Sequence, residues 1–120
     1  MPVLLTEAYA SKQFFIPLTA DKSEGVWCRP LTETKRREIR DAAVQEAGHD
    51  QELATAYAVR DTLKTCLTGW RGFRDAGGEE LPFSPEMVAE CCRFDPDFMS
   101  GLFLRVGAVA RFGELADLRD

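Results

Sequence analysis

Two tripeptides of one kind, Ser84-Pro85-Glu86 and Asp95-Pro96-Asp97, constrain the second half of this 120-residue chain more than any other feature. In each, a side-chain oxygen that can accept from free backbone N–H groups precedes a proline. The proline takes the first helical position, where its missing N–H does no harm. An acid follows in the first turn, where the helix dipole favours negative charge. The spacing predicts a short helix from Pro85 to about Arg93 and a long one from about Pro96 to Leu118. Phe83 with Val88, and Phe94 with Met99, are placed as hydrophobic staples across the two starts.

The first half reads differently. Residues 1–10 carry no strong pattern and are expected to be loosely held. Lys12 to Thr19 is apolar and rich in Phe and Ile, a strand that Pro17 confines to an edge or an end. Gly25 to Arg29 alternates in the same sense, and the polar turn between the two predicts a hairpin. After Pro30, Thr32 can cap a helix from about Glu33 to Ala47, whose apolar positions Ile39, Ala42, Ala43 and Ala47 have helical spacing and which Gly48 can stop. A second helix is expected after Asp50, with Leu53, Ala56, Tyr57, Leu63 and Leu67 as its stripe, ending near Thr68 and Gly69. Trp70 to Leu81 is glycine-rich, with a turn signal at Asp75-Ala76-Gly77-Gly78. It reads as a small hairpin or compact loop whose aromatics fold back on the core. The expectation is a single domain over 1–120, mainly α with a small β element (α+β): about four helices, an N-terminal β-hairpin, and a glycine-rich loop between the second and third helices.

A hydrophobic fraction of 45% and a charged fraction of 29% are ordinary for a folded domain of this size. The net charge of −5 argues against a nucleic-acid binder. The basic run Lys35, Arg36, Arg37 and Arg40 is interleaved with Glu33, Glu38 and Asp41, as on a solvated helix face. No apolar run approaches the roughly 18 residues that span a bilayer, and residues 1–10 lack a signal-peptide pattern. A cytoplasmic location is expected.

Little in the chain recommends catalysis. Cys28, Cys66, Cys91 and Cys92 form no CxxC pair and read as small buried hydrophobes. His49, the single histidine, falls in a turn between helices. Neither a nucleophile with a base nor a phosphate loop is recognisable. The acid pairs Glu79-Glu80 and Asp95 with Asp97 read as a solvated turn and a helix start. The expectation is no catalytic residue, no cofactor and no metal.

Leu67 to Glu86 reads LTGWRGFRDAGGEELPFSPE. It resembles a segment of the phage tail assembly chaperone family, in which a Trp, a Gly and an aromatic residue precede an acidic, glycine-containing turn. An apolar-Pro-aromatic-Ser element then opens a helix. The matching positions are Trp70, Gly72, Phe73, Asp75, Gly78, Leu81, Pro82, Phe83 and Ser84. Val26 to Thr32 (VWCRPLT) resembles the family's short strand that ends in a Pro-Leu-Thr turn before a charged helix. The likeness runs from about Val26 to Phe103, and the rest of the last helix does not share it. It implies a protein of a tailed phage or prophage, in the host bacterial cytoplasm and absent from the mature virion. Such a protein binds the tape measure protein and presents it to the major tail protein. A frameshifted longer form is common in the family. The alternative reading is a structural tail or head-completion protein retained in the virion; a small DNA-binding regulator fits the charge poorly. Trp70, Phe73 and Phe83 either seal the loop onto the core or touch the partner.

The last helix adds one candidate surface. With Phe98 at zero and about 100° per residue, Val109, Leu102, Val106, Ala116 and Phe112 form a stripe between roughly −40° and +80°, a core face. Leu104, Ala108 and Leu115 form a second stripe near roughly 240–280°. It is covered by this chain, by another copy in a homo-oligomer, or by the tape measure protein.

Overall fold

The computed structural model describes residues 13–119, with side chains through Gly107. Ala108 and Leu115 of the second stripe, and residues 1–10, lie outside the described side chains and residues. Strands β1 (Phe14–Pro17) and β2 (Gly25–Cys28) are followed by helices α1 (Glu33–Ala47) and α2 (Gln51–Cys66), strand β3 (Leu67–Arg71), and helices α3 (Pro85–Phe94) and α4 (Pro96–Arg119). The described residues thus form four helices and a three-stranded antiparallel sheet, the mainly α, α+β architecture that the sequence predicts.

The sheet order is β1-β2-β3, with β2 central. Phe14, Ile16, Val26 and Cys28 alternate onto one face and are buried there. Pro17 ends the edge strand β1, where its missing donor costs no ladder bond. Strand β3 replaces the last turn expected of α2 and was not anticipated as a strand. Leu67 and Trp70 are three apart, so strict alternation would send them to opposite faces. The register instead shifts: Trp27 pairs with Gly69 and Cys28 with Leu67, leaving Thr68 unpaired. This bulge turns both Leu67 and Trp70 inward, 4% and 9% exposed.

The helix boundaries follow local chemistry. Thr32, Asp50 and Ser84 accept from the backbone N–H groups of Lys35, Leu53 and Met87. Gly48 stops α1 at φ 69°. Arg29 closes α2: its backbone N–H donates to the Cys66 carbonyl and its guanidinium to that of Thr65. One hydrophobic cluster gathers Phe14, Ile16, Val26, Leu63, Val88, Met99, Leu102 and Val106 from sheet and helices. Among the described residues, no polar or charged side chain is buried.

Two expectations need correction. Phe98, which the periodicity puts on the α4 core face, is 45% exposed, and Met99, at 1%, is buried instead. The buried set Met99, Leu102 and Val106 is the expected stripe turned by roughly 50° about the helix axis. Phe94, expected to staple Met99, is 75% exposed.

Candidate functional site

The glycine-rich segment after β3 is a small hairpin. Arg74 bridges Glu80, the Leu81 N–H donates to the Phe73 carbonyl, and the Gly78 N–H donates to that of Asp75. The Asp75 carboxylate accepts from the N–H groups of Gly77 and Glu79, tying the tip to itself. Gly78, at φ 85°, supplies the left-handed residue.

The aromatics fix this hairpin to the body. Trp70 stacks on Phe73 at 4.4 Å between centroids and meets the edge of Phe83 at 5.1 Å. Phe73 in turn meets Phe98 edge-on at 5.8 Å. The rings of Trp70, Phe73 and Phe98 therefore lead from the buried sheet to solvent. Of the two roles open to the aromatics, sealing the loop describes Trp70 and Phe83; Phe73 seals and also faces outward.

Asp95 sets the other wall. Its backbone N–H donates to the Cys91 carbonyl, ending α3, while its carboxylate accepts from the Phe98 N–H, starting α4. One residue thus makes the corner, and Phe94 and Phe98 flank it.

Between hairpin and corner lies a groove of about 1020 Å³. Leu18, Phe73, Leu81, Met87, Phe94, Phe98 and Met99 line it, with Cys91 among them. Its charged lining residues are Glu24, Asp75, Glu90 and Asp95 against Arg74 alone. Of the motif residues, Gly72, Phe73, Asp75 and Leu81 line the groove. Trp70, Gly78, Pro82, Phe83 and Ser84 do not; they shape the hairpin and the helix start behind it. Leu18, Glu24, Met87, Phe94 and Phe98 were not anticipated as site residues. The signal for the last two was their spacing of four across the Asp95-Pro96 corner.

Leu104 is 71% exposed and lies outside the groove lining. Arg36 and Arg40, from the basic run, line a separate depression of about 210 Å³ together with Arg29. The two hollows share no residue.

Burial, then the nearby Asp95 and Glu90 carboxylates, pushes the Cys91 thiol above its ordinary range. Burial pushes Cys28 up to about 11 and Cys66 up to about 12. At all three, burial disfavours the thiolate, the form in which a cysteine is nucleophilic. His49 is exposed at the α1–α2 turn, not in the groove. No group of three or more His, Cys, Asp or Glu among the described residues is placed to hold a metal ion. No helix among them is long and apolar enough to cross a membrane.

No family model, curated protein or solved structure matches this chain.

Proposed function

We propose that this chain is an assembly chaperone for phage tails. It binds the tape measure protein in the host bacterial cytoplasm, presents it to the major tail protein, and leaves before the virion is complete. One observation carries the reading: the segment that resembles the family forms one wall of an open apolar groove, with Phe94 and Phe98 exposed on the other. Exposed apolar surface of this kind marks interaction sites on otherwise polar proteins. A chaperone for a long, aggregation-prone client needs such a surface.

Quantitative mass spectrometry of infected-cell extract and of purified particles tests the proposal. A chaperone is abundant in the extract and absent from particles. Recovery of the chain at fixed copy number per particle would instead support a structural tail or head-completion protein.

A further inference from the structure

The groove's charge specifies its occupant further than the reading above requires. Four carboxylates stand against one arginine around a floor of aromatic and aliphatic side chains. Glu90 is shared with Arg93, which lies outside the lining, and Asp75 and Asp95 each also accept from backbone N–H groups while keeping their charge. The groove takes in the end of α3, at Glu90, Cys91 and Phe94, and the start of α4, at Phe98 and Met99. The chain's Arg29, Arg36 and Arg40 line the other depression and not this groove. A volume of about 1020 Å³ accommodates several large side chains, more than a single anchoring residue fills.

We propose that the groove binds a cationic amphipathic helix: apolar side chains at positions i, i+3 or i+4, and i+7 enter it, and flanking Lys or Arg meet Glu24, Asp75, Glu90 and Asp95. This rests on the chaperone reading only in naming the tape measure protein as the source of that helix; the binding itself does not. A helix laid into an apolar groove buries one face and leaves its flanks at the rim, where opposite charge sets orientation and on-rate. An acidic helix of the same apolar pattern meets like charge along that rim and is rejected. A second copy of this chain, itself net negative, is a poorer fit for the same reason.

The test uses the full chain and two labelled synthetic helices with the same leucine pattern, one with Lys on its polar flanks and one with Glu. Fluorescence anisotropy is expected to show binding of the Lys helix, at least about tenfold tighter than the Glu helix and weaker as salt screens the rim. Phe94→Asp removes an exposed wall residue and should weaken binding about tenfold or more, with the circular dichroism spectrum unchanged. Glu24→Gln with Glu90→Gln should weaken the Lys helix while leaving the Glu helix no worse bound. Equal affinity for the two helices, binding of neither, or a wild-type chain whose groove is closed by self-association would each overturn the proposal. Co-purification with the tape measure protein separates the two claims. If the client is retained equally by the wild type and by the Glu24→Gln, Glu90→Gln variant, the charge claim fails and the chaperone reading stands. If the Lys helix binds but the client is not retained, the reverse holds.

Discussion

Trp70 donates its indole N–H to the backbone carbonyl of Leu81 at 2.9 Å, spanning the two arms of the hairpin. The same ring is 9% exposed and stacks on Phe73. Trp70 therefore both braces the hairpin wall of the groove and ties it to the body. Trp70→Ala is expected to lower stability by about 3–5 kcal/mol, as for buried aromatics elsewhere. Trp70→Phe, which keeps a ring but leaves the Leu81 carbonyl without its donor, should cost nearer 1–3 kcal/mol from the lost hydrogen bond. Urea unfolding followed by circular dichroism measures both, and an unchanged midpoint for Trp70→Ala would show that the hairpin is held elsewhere.

Gly72 joins β3 to that hairpin at φ 87°, and a Cβ there would sit 2.3 Å from Cγ of Glu24. Gly78 has a similar φ but open space around it. The two substitutions separate backbone strain from steric conflict. Gly78→Ala should cost about 1–2 kcal/mol for the left-handed conformation alone. Gly72→Ala should cost measurably more in the same unfolding experiment, and equal losses would mean that Glu24 moves aside freely.

Asp21 orders the turn between β1 and β2. Its carboxylate accepts from the Thr19 hydroxyl and from the hydroxyl and N–H of Ser23. These bonds, the Ser23 hydroxyl's first, hold its pKa down, from 3.8 to about 2. A carboxyl whose folded value is depressed contributes stability above its unfolded value and loses it as pH falls through the folded one. The turn should therefore stay ordered at pH 4 and loosen toward pH 2. A carbon-detected NMR titration of Asp21 checks this; a midpoint near 3.8 would contradict it.

Leu104 projects from α4 at 71% exposure. Leu104→Asp should shift stability by no more than about 0.5 kcal/mol, as for surface positions generally. If the second stripe mediates self-association, the same folded variant will show a smaller mass by light scattering than the wild type. A variant that unfolds would place Leu104 in the core.

The elements that the sequence disclosed are those set by neighbours in the chain. Thr32, Asp50 and Ser84 each bond an N–H three residues on, and Gly48 closes a helix within one turn. Strand β3 escaped notice because it follows Cys66 without a break, contains Gly69, and is justified by pairing with β2, some forty residues earlier. Helical periodicity located an apolar stripe on α4 but not its centre. Whether Phe98 or Met99 turns inward depends on the angle at which the Asp95 corner delivers the helix. The groove was hidden for a related reason. Leu18 and Glu24 come from the β1–β2 turn, Phe73 from the hairpin, and Phe94 and Phe98 from the corner, and only the assembled fold brings them together.

The most direct test of the account is co-expression of the tape measure protein with tagged full-length chain, either wild type or Phe94→Asp, followed by quantitation of the client retained on the tag. Phe94 is 75% exposed, so the variant should unfold at the wild-type midpoint. The wild type is expected to retain the client. Phe94→Asp is expected to bind it about tenfold more weakly, the change expected for losing an aromatic contact that the client buries, and so to retain clearly less of it when the client is limiting. No retention by the wild type, or equal retention by both, would contradict the account.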